Sequence, residues 1–168
     1  MRGVVRREVR ALSQEEALQI IKDAEYGVLA TVSEEGLPST TALNHVMLDD
    51  GCLYFHTGAE GEKLSNIKTN PQVSFFVTGI ADVVYEQFTT AFSSAVVQGT
   101  MEVIEGDDAK VAALHTIAAR FSDGTVPEQV IDDFIKTSLY HVTVLKLTPE
   151  FITGKARLAR KRDCLRKL

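Results

Sequence analysis

The first third of the chain begins with the periodicity of an amphipathic helix. Ser13-Gln14-Glu15-Glu16 is a capping box, in which the serine side chain accepts a backbone N–H and the glutamate reaches back to the serine amide. Apolar residues then recur on one helical face, and Gly27 is typical of a helix stop. The pattern therefore predicts a helix that begins after Ser13 and packs against a core. The apolar face consists of Ala17, Leu18, Ile20, Ile21 and Ala24.

Three apolar segments follow with the spacing of β-hairpins. They are Tyr26–Val32, Pro38–Leu48 and Cys52–Thr57, and the turn sequences SEEG and DDG separate them. The connections are too short to contain crossover helices. These strands are therefore predicted to be antiparallel, which argues against a Rossmann-type parallel sheet.

The rest of the chain contains both strand-like and helix-like segments. Three further strands are predicted at Gln72–Thr78, Ser93–Glu105 and Tyr140–Leu147, with Gly99 as a bulge or a point of close approach. Residues 80–92 are predicted to be irregular. Hairpin-linked strands with helices at the periphery indicate a mainly β, α+β fold with a small antiparallel barrel. The predicted helices are Glu62–Thr69 and two that begin at Asp107 and Pro127.

Composition and charge narrow the class of protein. The 168 residues, 45% apolar and 24% charged, fit a single globular domain. No apolar run reaches the ~18 residues of a membrane span, and the first residues lack the pattern of a secretory signal, so a cytoplasmic location is expected. The net charge is −5, although residues 155–168 carry seven Lys or Arg against Asp163 alone. The remainder is therefore strongly acidic, which disfavours nucleic acid as a partner.

The segment FHTGAEGEKLSNIKTNP, residues 55–71, places a glycine-containing loop between a predicted strand and a predicted helix. It is not a Walker A loop, because Gly58 and Gly61 are too close together and Glu62 precedes Lys63. Glycines and a lysine at a helix N-terminus remain compatible with a phosphate, since the helix end carries partial positive charge. The residues leave two interpretations open, a phosphate site and an ordinary polar connection.

The other candidate side chains give weaker signals. The four histidines, His45, His56, His115 and His141, are widely separated, and neither they nor the two cysteines have metal-ligand spacing, so no metal site is predicted. His56 is either a hydrogen-bonded strand histidine or part of the rim of a ligand site. The hydroxyl-rich segment FTTAFSS, residues 88–94, is either a connection or a set of hydrogen-bond donors.

Taken together, several segments resemble the FMN-binding split-barrel superfamily of pyridoxamine 5'-phosphate oxidase-like proteins, and among them the nitroimidazole-resistance (Nim-like) branch. The likeness is collinear over about residues 12–156, which leaves 157–168 as a basic tail. It implies a six-stranded antiparallel split barrel with Greek-key character and peripheral helices, in a single domain over 1–168. The segments that carry the resemblance are EYGVLATVSEEGLPSTTALNHV (25–46), DDGCLYFHTGAEGEKLSNIKTNPQVSFFV (49–77), FTTAFSSAVVQGTMEVIE (88–105) and FITGKA (151–156).

The resemblance also implies a site for FMN. By position, Thr57 and Lys63 would contact the flavin phosphate, and His56 would lie near the flavin as the substrate-facing, catalytic side chain. A homodimer with flavin sites at the interface is implied, so Ser94 or Lys155 would act in trans. The flavin ring needs an apolar wall and amides for its polar edge. The remaining implied neighbours are Thr41, Ala42, Leu43 and Asn44, largely through backbone groups, and Phe55.

The chain departs from true pyridoxamine-phosphate oxidases. Those enzymes usually carry an arginine where Thr41 stands, a glutamine where Ser94 stands and a C-terminal Trp, whereas this chain has no Trp. Vitamin oxidase activity is therefore not expected. The implied function is electron transfer from a reduced donor through FMN to a small acceptor, such as a nitro-aromatic compound.

Two alternatives stay open. One is a non-catalytic module that binds or senses flavin, because no indispensable acid or base is evident in the sequence. The other is a split barrel that holds haem or a deazaflavin, for which His45 or His141 would be the haem ligand.

Overall fold

The computed structural model describes residues 3–157, which form seven strands, four α-helices and two short 3₁₀ turns. The strands are β1 (Tyr26–Val32), β2 (Pro38–Asn44), β3 (Val46–Met47), β4 (Leu53–Gly58), β5 (Gln72–Val84), β6 (Thr89–Val103) and β7 (Val142–Arg157). The helices are α1 (Gln14–Asp23), α2 (Glu62–Thr69), α3 (Asp107–Ser122) and α4 (Glu128–Ser138), and the 3₁₀ turns are Glu8–Arg10 and Tyr85–Gln87.

All seven strands belong to one antiparallel sheet with the order β2-β1-β5-β6-β7-β4-β3. Strands β2 and β4 come into contact without pairing, so the sheet curls into a barrel that backbone hydrogen bonds do not close. The mainly β split-barrel fold with peripheral helices is therefore confirmed. Within residues 3–157, every helix is too short or too polar to cross a membrane.

The predicted number of six strands is wrong by one. The chain breaks at His45, which divides the predicted strand 38–48 into β2 and the two-residue β3. The His45 ring turns inward and lies only 3% exposed, with Nε2 2.7 Å from the carbonyl oxygen of Ile21 at the end of α1. A polar side chain that reaches a helix end across the barrel thus interrupts an otherwise continuous strand.

The prediction that residues 80–92 are irregular is also wrong. Strand β5 continues to Val84 and pairs with β6 from Thr89 onward, after a register shift between Thr78 and Ala81. Only the tip of this hairpin departs from strand geometry, where Phe88 adopts a left-handed conformation with φ +47°. Residues 79–83 on the β5 side of the extension are all exposed, so this part of the sequence lacks the alternation that marks a half-buried strand.

Gly99 is a point of close approach between β6 and β7, as predicted. The register of this pair shifts between Gln98 and Gly99, and a Cβ added to Gly99 would lie 2.0 Å from the carbonyl oxygen of Thr148. This bulge lets β7 continue past Leu147, where the sequence predicts its end, to Arg157. The two longest strands of the sheet therefore run alongside each other over most of their length.

Helix α1 begins with the predicted capping box. The Ser13 hydroxyl accepts from the Glu16 amide at 3.2 Å, and the Ser13 amide donates to the Glu16 carboxylate at 2.7 Å. The predicted stop at Gly27 is wrong, because the helix ends at Asp23 and this glycine lies inside β1. There it is required for packing, since a Cβ would lie 2.5 Å from the carbonyl oxygen of Phe76.

Two groups of buried side chains hold the fold together. The larger fills the barrel beneath α1, and the smaller joins α3 and α4 to the outer face of β7. Met101 belongs to the barrel core and is 1% exposed. The barrel core includes Ile21, Leu29, Leu53, Phe55, Phe75, Val97, Leu145 and Leu147, and the second group includes Ala113, Leu114, Ile135 and Val144.

Gly99→Ala is expected to lower the free energy of unfolding by about 2 kcal/mol or more, because the new methyl group meets rigid backbone rather than a movable side chain. Gly58→Ala is the matched control, since a Cβ at Gly58 would contact nothing within 4 Å. Denaturant unfolding of the two variants measures the difference. Equal stabilities would contradict the close approach of β6 and β7.

Candidate functional site

The junction of β4 and α2 forms a small cradle. Thr57 lies at the end of β4 with 8% of its side chain exposed, and residues 58–61 connect it to the helix. Gly61 is the N-cap residue of α2 with φ +142°, a conformation that side chains of L-residues rarely adopt. Among the described residues, the amides of Glu62 and Lys63 have no acceptor, so the first turn presents two free N–H groups.

Lys63 adds a positive charge to this cradle. A Cβ built on Gly61 would lie 3.8 Å from Nζ of Lys63, so the ammonium group folds back over the connection between β4 and α2. Lys63 has no salt bridge with another described residue. Two free amides and an ammonium group thus lie at the first turn of α2, and Thr57 lies at the end of the preceding strand. Amides at a helix N-terminus and a lysine are donors that suit a phosphate.

Two hydrogen bonds fix α2 against the first hairpin. Nδ2 of Asn66 donates to Oγ1 of Thr31 at 3.0 Å, and both side chains are buried. The Ser39 hydroxyl donates to the Glu62 carboxylate at 3.0 Å. This contact connects Glu62, the acidic side chain in the first turn of α2, to β2. The Glu62 carboxylate is therefore directed to Ser39 of β2. Sequence reasoning missed Ser39 and Asn66, because their partners lie far away along the chain.

Strand β2 lies at the edge of the sheet beside the cradle. It pairs with β1 on one side only, with Thr41 opposite Leu29 and Asn44 opposite Tyr26. Its outer backbone groups therefore have no strand partner within the described residues. Thr41 and Leu43 are half-buried, whereas Ala42 and Asn44 are exposed. An edge of this kind offers alternating N–H and C=O groups to the polar rim of a planar ligand.

Phe55 and His56 lie on opposite faces of β4, because side chains alternate along a strand. The Phe55 ring is fully buried in the barrel core and meets the Phe75 ring edge to face, with centroids 5.0 Å apart. Because the Phe55 ring belongs to the core, only the backbone groups of this residue could contact a ligand at the barrel surface. His56 points away from the barrel interior that Thr57 faces.

The His56 ring lines an apolar cavity of about 220 Å³ between β4, α3 and α4. The side chain keeps more than a third of its surface exposed, yet the apolar neighbours desolvate the ring and lower the pKa of His56 from its ordinary value. The imidazole is therefore neutral at neutral pH. The other lining residues include Leu114, Ile117, Ala118, Phe121, Phe134, Ile135, Ser138 and Val142.

Ser94 and Lys155 form a second group, remote from the cradle within one protomer. They pair directly across β6 and β7. Thr57 pairs with Thr143 at the opposite end of β7. The structure therefore brings together the residues predicted on β2, β4 and α2, but it does not bring Ser94 and Lys155 to them.

The two histidines suspected as haem ligands differ in access. His45 is enclosed by Phe55 and Phe75, and its Nε2 is engaged with the Ile21 carbonyl. Its Nδ1 is buried without a partner among the described residues. A ring held in this way has no nitrogen directed toward an external ligand. His141 is exposed in the turn before β7.

These features define a split barrel with a cradle of hydrogen-bond donors at the junction of β4 and α2, beside an edge strand of the sheet. The chain belongs to the pyridoxamine 5'-phosphate oxidase family, because a sequence model of that family matches residues 13–156. No curated protein matches the chain by sequence.

Solved structures with the same fold share little sequence with the chain. A candidate 5-nitroimidazole antibiotic resistance protein from Bacteroides thetaiotaomicron is 23% identical, with a TM-score of 0.71 over 86% of this chain and 85% of that one. The flavocytochrome Anf3 from Azotobacter vinelandii is 18% identical, with a TM-score of 0.70 over 98% and 79%. An FAD-binding protein from Mesorhizobium loti is 20% identical, with a TM-score of 0.64 over 88% and 97%. At these identities the likeness establishes the fold.

The free energy of unfolding is expected to fall by about 1 kcal/mol as the pH drops from 7.5 to 5.5 because of His45. Burial lowers the pKa of His45 below its ordinary 6.5, so the unfolded chain takes up a proton that the folded ring resists. His45→Gln, which retains an amide donor for the Ile21 carbonyl, should remove this part of the pH dependence. Denaturant unfolding at several pH values measures it, and parallel pH profiles for the two proteins would contradict the assignment.

Proposed function

We propose that the protein is an FMN-binding oxidoreductase that passes electrons from a reduced donor to a small-molecule acceptor. The observation that carries the proposal is the cradle, where the connection of residues 58–61 follows Thr57 and leads to two free amides and Lys63 in the first turn of α2. Membership of the pyridoxamine 5'-phosphate oxidase family and the flavin-binding proteins among the solved structures support it. A cytoplasmic location is part of the proposal.

The residues present fit the parts of FMN. The cradle matches the phosphate, because a helix N-terminus and a lysine both favour a dianion. The open edge of β2 at Thr41–Asn44 matches the polar rim of the ring system, which needs donors and acceptors in alternation. Half-buried Leu43 packs against the barrel core and offers apolar surface. When bound, FMN would supply the redox chemistry, and the protein would bind, orient and shield it.

Lys63→Ala is expected to weaken FMN binding by about tenfold, because one charge-assisted hydrogen bond to the phosphate is lost. Lys68→Ala is the matched control, since this exposed lysine lies in the last turn of the same helix. Quenching of flavin fluorescence on titration with each protein gives the affinities. Undiminished affinity in Lys63→Ala would refute the assigned cradle.

A homodimer is part of this proposal. Val28, Phe76 and Val96 follow one another across β1, β5 and β6 in register, and the first two are 37% and 42% exposed. A row of apolar side chains on one face of a sheet favours burial against another surface. Ser94 and Lys155 lie on strands of this sheet, far from their own cradle, so a partner packed on this face would bring them to the other protomer's flavin.

Phe76→Glu is expected to convert the dimer to a monomer and to weaken FMN binding in parallel, because a charge would be buried at the interface. Val130→Glu on α4 is the control, since this valine is 53% exposed away from that face. Sedimentation velocity reports the mass and fluorescence titration the affinity. A Phe76→Glu dimer, or a monomer with full affinity, would contradict the interfacial site.

One observation favours a second candidate function, a flavin-binding protein without catalysis. His56, the proposed substrate-facing residue, lies on the opposite face of β4 from Thr57. Anaerobic reduction of the FMN-loaded protein by NADH or NADPH, followed by reoxidation with nitro-aromatic acceptors, separates the two functions. Reduction and reoxidation over many turnovers support the oxidoreductase, whereas a flavin that stays oxidised supports the binding protein.

A further inference from the structure

The apolar cavity between β4, α3 and α4 has no role in the proposed binding of FMN. We call it the helix-pair cavity. Its volume of about 220 Å³ is several times that of a water molecule, whereas protein interiors contain few voids larger than one water. Its surface is almost wholly apolar, and only His56 and Ser138 among its lining residues have polar side chains. Because a buried water needs roughly two to four polar partners, this space favours an apolar occupant.

Two polar contacts join α3 to α4 beside the cavity. Nε2 of His115 lies 3.3 Å from Oδ1 of Asp132, and Nζ of Lys110 donates to the Leu139 carbonyl. None of these four residues lines the helix-pair cavity. The helices are therefore held together by contacts that an occupant of the cavity would not replace.

Two aromatic rings lie where the cavity meets solvent. Phe121 of α3 and Phe134 of α4 both line it, and they are 40% and 64% exposed. Two other lining residues, Leu114 and Ile135, are only 7% and 3% exposed. The cavity therefore extends from the buried contact between the helices to the surface, so a small molecule can enter it without unfolding of either helix.

Size and charge limit what the helix-pair cavity can hold. An apolar cavity of about 150 Å³ is enough to bind benzene, so about 220 Å³ suits one ring with a small substituent. The three fused rings of a flavin are too large, since sites for ligands of that size measure about 300–1,000 Å³. Among the described residues, no Lys, Arg, Asp or Glu lines the cavity, and the His56 imidazole is neutral. An anion would therefore be buried there without a partner.

The cavity is also distinct from the sites assigned above. His56 is the one lining residue that the family resemblance places near the flavin, and its ring lies on the face of β4 opposite Thr57. The other lining residues belong neither to the implied flavin site nor to the apolar row of the proposed dimer face.

We propose that the helix-pair cavity binds an uncharged compound with a single aromatic ring, separately from the flavin. The ring packs between side chains of α3 and α4, and the rings of Phe121 and Phe134 favour an aromatic ligand, since aromatic rings pair edge to face or offset. Such a ligand would contact α3, α4 and β4 at once. The proposal does not depend on the proposed oxidoreductase function.

Titration of the flavin-free, methyl-labelled protein with toluene, followed by NMR, tests the cavity. Saturable shifts are expected for the methyl signals of Leu114, Ile117 and Ile135, which line it. Benzoate, a single ring that carries a charge, is expected to cause none at the same concentration. Absence of a saturable shift up to the solubility of toluene, or equal shifts with benzoate, would overturn the proposal.

Two variants fill the cavity from different helices. Ala118→Leu on α3 and Ser138→Leu on α4 are each expected to weaken toluene binding at least about tenfold, because the larger side chain occupies the volume that the ring needs. Ala112→Leu is the matched control, since this alanine is exposed on α3 and does not line the cavity. Melting curves verify folding. A folded filling variant that binds toluene as well as wild type would place the ligand elsewhere and sink the proposal.

Titration in the presence of FMN separates the cavity from the flavin site. The affinity for toluene is expected to be the same with and without saturating FMN, and Ala118→Leu is expected to bind FMN as wild type does. Displacement of toluene by FMN would overturn the proposal, because the cavity would then be part of the flavin site. Toluene binding by a protein that fails to bind FMN would refute the proposed function and leave the cavity proposal supported.

Discussion

The buried hydrogen bond between Asn66 and Thr31 is the interaction on which the arrangement of the cradle depends. Each side chain is enclosed by the barrel and satisfies the other, so loss of either would leave a polar group buried without a partner. The bond fixes α2 on β1, and the position of α2 in turn sets where its first amides and Lys63 lie relative to Thr57. The donors at the start of α2 are thus positioned by a contact between two buried side chains.

Alternation along β4 imposes a second constraint on the site. Because Phe55 and Thr57 face the barrel, His56 must face the space between α3 and α4. The end of β4 therefore contributes to two separate environments. One is the polar junction with the N-terminus of α2, and the other is the apolar cavity that His56 lines. A third environment is formed by the β6–β7 pair, in which Ser94 and Lys155 lie at the opposite end of β7 from the partner of Thr57. The residues predicted for the site are thus distributed over three places in one copy of the chain rather than gathered in one cleft.

Local patterns were sufficient to predict much of the fold. The capping box at Ser13, the first hairpin and the close approach at Gly99 all depend on neighbours in sequence or on residue type. The break at His45 was not predictable, because it depends on the Ile21 carbonyl across the barrel. The β5–β6 extension was missed since exposed pairing leaves no apolar alternation. The position of Lys63 at a helix N-terminus was predicted, whereas the roles of Ser39 and Asn66 follow only from long-range contacts.

The unpaired outer side of β2 has a consequence for how the chain behaves in concentrated solution. A strand edge with unpaired backbone groups is a template on which another molecule can add a strand of its own. Among the described residues, β2 contacts β4 without pairing with it, so its outer edge keeps unpaired groups along exposed Ala42 and Asn44. Any small molecule or protein that lies along this edge occupies the same backbone groups. Occupation of this stretch of main chain would therefore also prevent the addition of a further strand.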